Sequence, residues 1–221
     1  AGGKEGFFEV ATFTSPAYVA RLDYRGVPGL RIGGSFYYCV NTASNSDKVA
    51  TYAGVKAPLR IYTVDGQYKN KYVTARTNFV FGNLTGATAI SNKNKGLSNS
   101  SPYTRVVQVA KKAVSYAGEV GVNLRSICNG NKKVPVIYPF ARYEYYNPQE
   151  AGEKGQLPMD KRNQVSMWTA GLNWYALPNL VVKADYMTRQ IGTGKVFGKG
   201  KYNSENEFSI GIAYVGWFIK K

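Results

Sequence analysis

The segment Val165–Gln190, VSMWTAGLNWYALPNLVVKADYMTRQ, decides the fold. In its first half Thr169, Gly171 and Asn173 alternate with Trp168, Ala170, Leu172 and Trp174. Leu177-Pro178-Asn179 then turns the chain, and in the second half Lys183, Asp185 and Arg189 alternate with Val182, Ala184 and Tyr186. A period of two is that of a β-strand, whose successive side chains point to opposite faces. The segment therefore predicts two antiparallel strands joined by a tight turn. One face of each is apolar and aromatic; the other is small, polar or charged.

The same alternation runs outward from this hairpin in both directions. Upstream it predicts strands at Tyr18–Tyr24, Leu30–Val40, Leu59–Lys69, Val73–Leu84, Ala113–Ser126 and Val134–Tyr146. Downstream it predicts a last strand at Glu207–Ile219. The connections alternate strictly. Short turns such as Arg25–Gly29 and Asn70-Lys71 follow one set of strands, and long polar segments such as Asn41–Pro58, Thr85–Lys111, Asn147–Asn163 and Ile191–Asn206 follow the other. Outer-membrane barrels have this rhythm, with short periplasmic turns and long outer loops. The fold class expected is all-β, an antiparallel transmembrane β-barrel with about nine strands in this chain. A soluble antiparallel sheet with one wet face is the alternative.

On this topology residues 1–221 form a single barrel region, with 1–16 an outer loop segment and 17–219 the barrel strands. The first and last strands both run inward, which gives an odd count, whereas bacterial single-chain barrels have even counts. The expectation is a barrel truncated at its N-terminus, unless Phe7–Phe13 supplies a tenth strand.

Composition narrows the function. No apolar run is long enough for a transmembrane helix, a test that lipid-facing strands escape because they alternate. The chain has no histidine, which removes a Ser-His-Asp triad, a Cys-His pair and any His-ligated metal from it. No cofactor is expected, and the chain is not expected to be an enzyme. Two cysteines, Cys39 and Cys128, fall at opposite ends of the span and are expected to remain unbridged.

The segments YVARLDYRGVPGLRIGGSFYY (18–38), VIYPFARYEYYN (136–147), TAGLNWYALPNLVVKADY (169–186) and NEFSIGIAYVGWF (206–218) together resemble the C-terminal half of the phosphate- and polyphosphate-selective porins. The resemblance runs from about Ala17 to Phe218, nearly the whole chain. It implies an outer-membrane barrel of about 16 strands, wide enough for an aqueous channel, and a homotrimer. One departure is the ending Ile219-Lys220-Lys221, where such barrels often close on an aromatic residue.

If the polar faces line the lumen, the pore-lining and anion-binding candidates are Arg21, Arg31, Lys69, Arg76, Arg142, Lys183 and Arg189. The acids on the same faces are Asp23, Asp65, Glu119, Glu144 and Asp185. Arg21 with Asp23, Arg142 with Glu144 and Lys183 with Asp185 are spaced to neutralise each other along one face. Alternatively, the guanidinium groups form a track that replaces part of a passing anion's hydration.

The formal charge of +16 also raises nucleic acid as a partner. That would need bases and stacking aromatics on one face, and here they lie on opposite faces, so no nucleic acid is expected. The partners expected are the lipid bilayer and lipopolysaccharide, which loop lysines such as Lys93, Lys154 and Lys199 would meet, and small anionic solutes such as phosphate. The function expected is a diffusion channel of the bacterial outer membrane. The alternative is a non-conducting barrel serving as a scaffold or adhesin in a larger assembly.

Overall fold

The structure, a computed structural model, describes residues 15–44, 51–97, 108–192 and 203–214. Within them nine strands pair in sequence order to form one antiparallel sheet. They are β1 (Ala17–Tyr24), β2 (Leu30–Cys39), β3 (Leu59–Lys69), β4 (Val73–Leu84), β5 (Lys112–Val122), β6 (Val136–Ala151), β7 (Val165–Leu177), β8 (Leu180–Ile191) and β9 (Asn203–Tyr214). The sheet is not closed over these residues: β1 and β9 are its edges. Both edges run in the same direction, so these nine strands cannot close an all-antiparallel barrel among themselves.

Several expected boundaries move. β5 stops at Val122, because Asn123 accepts a hydrogen bond from the Ser126 amide and starts a four-residue helix at Leu124–Ile127. β6 continues past Tyr146 to Ala151, with a register irregularity opposite Lys112 and Val114. β9 begins at Asn203, four residues before the expected start, and the expected end at Ile219 lies outside the described residues, as does Phe7–Phe13. The expected loop Thr85–Lys111 contains a helix, α1 (Ala87–Asn94). Cys39 is buried at the loop end of β2, Cys128 is exposed beyond the turn end of β5, and neither forms a disulfide.

Apart from irregular steps at Lys112/Val114 and Tyr175/Leu177, pairing is in register along the meander, which sorts the strand side chains onto two surfaces. Asp23 faces Gly33, and Gly33 faces Asp65; Gln67 faces Arg76; Arg76 faces Glu119; and Glu119 faces Arg142. Arg142 faces Thr169, Gly171 faces Asp185, and Asp185 faces Ser209. One surface therefore carries the polar row from edge to edge. The other carries Leu22, Ile32, Val64, Phe79, Val120, Leu172, Val182 and Ile210 in the middle of its strands.

Within the sheet, the buried apolar residues Cys39 and Val165 stand at the strand ends nearest the long connections; among the described residues, the one cluster of buried apolar side chains lies outside the sheet. Ala43, Tyr52, Val55 and Ala57, from the connection between β2 and β3, form a core cluster with Leu84 and Ile90 packed against it. At the opposite end the β1–β2 turn is closed by Gly29, whose φ of 79° places it in the left-handed region and whose carbonyl accepts from the Lys69 amide at 2.8 Å. A side chain there would also run into the carbonyl oxygen of Lys69. Gly29→Ala is expected to destabilise the protein by at least about 1 kcal/mol, read as a lower midpoint of chemical unfolding. Gly118→Ala, where a Cβ meets open space, is expected to change stability by no more than about 0.5 kcal/mol.

Candidate functional site

The polar surface of the sheet is built from two unlike halves. Near β1 the charges are fully engaged. Arg21 donates to Asp23 at 2.8 Å and to Asp65 at 2.8 Å, and Arg31 donates to Asp65 at 2.8 Å and approaches Asp23 at 3.8 Å. The Arg21–Asp65 contact passes from β1 to β3 over β2, at Gly33. A Cβ at Gly33 would meet the Arg21 guanidinium and the Asp23 carboxylate, so the bridge needs glycine there for space. Two bases and two acids cancel in this quartet. Arg189 is likewise held, by Glu205 at 2.6 Å.

Between β3 and β8 the balance differs. Lys69, Arg76, Glu119, Arg142, Lys183 and Asp185, from β3 to β6 and β8, line one cavity of about 470 Å³ together with Tyr138 on β6 and Asn173 on β7. Side chains from strands this far apart in the meander share a cavity only if the sheet curves, so the polar surface is concave. Arg142 is paired with Glu144 at 3.0 Å and sits 4.0 Å from Glu119. Lys69, Arg76 and Lys183 make no ion pair among the described residues. The expected Lys183–Asp185 pair does not form; Asp185 accepts from the Ser209 hydroxyl at 2.9 Å instead. The wall also holds the buried Thr169 Oγ1 and Arg142 Nε, which have no hydrogen-bond partner among the described residues.

Thus all seven bases singled out from the sequence lie on one face, as the alternation predicts. The structure gathers Lys69, Arg76, Arg142 and Lys183 around the cavity. It withdraws Arg21, Arg31 and Arg189 into ion pairs, and so divides what the sequence presents as a single track.

The outward surface has a different chemistry. Aromatic residues recur six positions apart on four strands, as Tyr18 and Tyr24, Tyr62 and Tyr68, Trp168 and Trp174, and Phe208 and Tyr214. Six residues span about 20 Å along a strand, so these side chains form two belts with small and aliphatic residues between them. The belt nearer the long connections is a cross-strand ladder, with ring centroids of Phe36 and Tyr62 5.1 Å apart, Tyr116 and Tyr145 5.0 Å, and Tyr143 and Trp168 4.6 Å. Leu22 is 80% exposed, Ile212 73% and Trp168 57%. The six-residue spacing was legible in the sequence and marks the belts more sharply than the general crowding of aromatics at strand ends.

The long connections at one end are tied to each other. Glu153, between β6 and β7, accepts the amides of Gly86 at 2.7 Å and Thr88 at 2.9 Å at the start of α1. Tyr52 donates to Asn94 at the other end of that helix, at 2.7 Å. Gln156 donates to the Val109 carbonyl at 3.0 Å, and the Val109 amide donates to the Ser91 hydroxyl at 2.8 Å. Leu84, on the concave-side row of β4, packs into the loop core, so these connections cover the rim of the concave face there.

No protein-family model matches the chain, and no curated protein sequence matches it. The site therefore rests on its own geometry.

Partial burial of Glu153 works against its charge, but the amides of Thr88 and Gly86 outweigh that cost and hold its pKa below the ordinary glutamate value. A carboxylate with a depressed folded-state pKa contributes its full stabilisation above the unfolded value and loses it as pH falls through the folded one. The tie between α1 and the β6–β7 connection is therefore expected to persist through neutral and mildly acidic pH and to release only below the usual carboxylate range. Hydrogen exchange at the Gly86 and Thr88 amides measures this. Glu153→Gln is expected to weaken their protection at neutral pH by about 1–2 kcal/mol, whereas unchanged protection would mean the carboxylate does not hold the helix.

Proposed function

We propose that this chain forms the wall of a bacterial outer-membrane β-barrel that conducts small solutes, with a preference for anions. The observation that carries the reading is the inversion of the two surfaces. Among the described residues, every charged group on the regular ladder except two cations at one rim belongs to the concave side, while the convex side is apolar, aromatic-belted and exposed. In water such a convex surface is far larger than the apolar patches soluble monomers leave uncovered. In a bilayer it is the surface that matches hydrocarbon, and a sheet can meet hydrocarbon because its backbone groups pair between strands.

Anion preference follows from the cavity. Lys69, Arg76 and Lys183 face it without an ion pair among the described residues, so they leave a local excess of positive potential where a solute passes. The paired quartet at Arg21, Asp23, Arg31 and Asp65 adds no net charge and stiffens the wall. Phosphate is the candidate solute through the resemblance to the phosphate- and polyphosphate-selective porins.

A second reading, a non-conducting barrel that serves as scaffold or adhesin, is favoured by one observation: the folded connections over the rim, with their own apolar core and the α1–Glu153 tie. Conductance decides between the two. The intact protein in a planar bilayer, under a salt gradient, is expected to show steady conductance with a reversal potential on the anion side. Replacing Lys69, Arg76 and Lys183 together by Gln is expected to move that potential toward cations, while Arg189→Gln moves it much less. A folded, inserted protein that never conducts would sink the channel and leave the scaffold reading.

A further inference from the structure

Charge on the outward surface of the sheet is confined to one place. Along the regular ladder of the described residues no outward side chain is a carboxylate, and the only two cations are Arg60 on β3 and Lys112 on β5. They are not scattered. Arg60 faces Asn83 on β4, and Asn83 faces Lys112, so the three make one row across three adjacent strands. Two strand spacings, about 10 Å, separate the two cations at the backbone, a gap their long side chains can close. The row lies just beyond the aromatic belt at the end of the long connections. The Arg60 guanidinium carbon sits 5.5 Å from the ring centre of Tyr38, which anchors it to that belt. Glu150, past the irregular step in β6, is turned onto the Tyr145 hydroxyl and the Asn147 amide.

We propose that Arg60, Asn83 and Lys112 form a docking row for the phosphate group of a membrane lipid. The inference rests on the membrane reading above, because only that reading puts the convex surface against lipid. Three observations converge on this occupant. The row interrupts a regular ladder whose described outward side chains are otherwise uncharged, at the level where an aromatic belt marks the boundary between hydrocarbon and headgroups. Both charges are cations, which at that level meet anionic headgroups. Asn83 between them adds a neutral amide donor, so one phosphate can take hydrogen bonds from a guanidinium, an amide and an ammonium at once. Beyond β6 the described rim is uncharged: Ser166, Thr188, Gln190, Ser204 and Asn206 occupy the equivalent outward positions on β7, β8 and β9. The preference is therefore local to β3–β5.

The test melts the intact protein in uncharged detergent micelles that carry short-chain phosphatidic acid, short-chain phosphatidylcholine, or neither with inorganic phosphate at the same concentration. Ligand that binds only the folded state raises the melting temperature. Phosphatidic acid is expected to raise it more than phosphatidylcholine, and inorganic phosphate is expected to leave it unchanged. In the Arg60→Gln, Lys112→Gln double variant, apparent affinity for phosphatidic acid is expected to fall by on the order of thirty-fold. An equal response in the double variant overturns the inference, and so does an equal response to inorganic phosphate, which would make the row a site for soluble anions. Flotation of the unsubstituted protein with phosphatidylcholine vesicles separates the two levels of the claim. Failure to float removes the membrane reading and the row with it, whereas flotation without a phosphatidic acid preference removes the row alone.

Discussion

A fully paired antiparallel ladder leaves each strand only one freedom, which side chains it sends to which surface, and every other feature of this protein depends on how that freedom is used. Because the side-chain period is two, a register slip of one residue would exchange the surfaces completely. Arg142 and Glu144 would then stand among Trp168 and Leu172, and desolvating such charges costs far more than a surface contact returns. The pairing from β1 to β9 keeps the carboxylates of the regular ladder on the concave side, while Glu150, past the irregular step in β6, turns onto the outward Tyr145.

Concentrating charge on one curved surface creates its own problem, and the sheet solves it unevenly. Near β1 the solution is neutralisation, with Arg21 reaching over Gly33 to Asp65 and two bases sharing two acids. Around the cavity the bases outnumber the acids, and three of them make no ion pair among the described residues. Because the first region is closed and the second open, the field of the concave face is set by a few side chains from β3 to β8. The connections at one rim add a different element, a small apolar core and a carboxylate-capped helix, where packing and hydrogen bonds hold loops that the sheet itself does not order.

How much of this was legible in the chain follows from the range of the interactions involved. β3 and β4 fall on the residues expected, Leu59–Lys69 and Val73–Leu84, because alternation and turn chemistry are local. The helix α1 was missed for an equally physical reason. ATAISNKN carries no apolar stripe, Gly86 at its start offers no capping side chain, and the group that caps it is Glu153, 67 residues away in the chain. β6 ran past its expected end because its last residues pair with Lys112 across an irregular step, which no pattern within NPQEA announces.

The sequence by itself determined the strand count, the division of each strand into two faces and the membership of all seven bases in one of them, since each depends on spacing within a few residues. Only the tertiary structure decided which bases are spent in ion pairs and which face open space. That choice turns on partners one or two strands away, such as Asp65 for Arg21 and Glu205 for Arg189, and on the curvature that brings Lys69 and Lys183 to one cavity. Charge and spacing are written along the chain; proximity between strands is not, because register and curvature set it together.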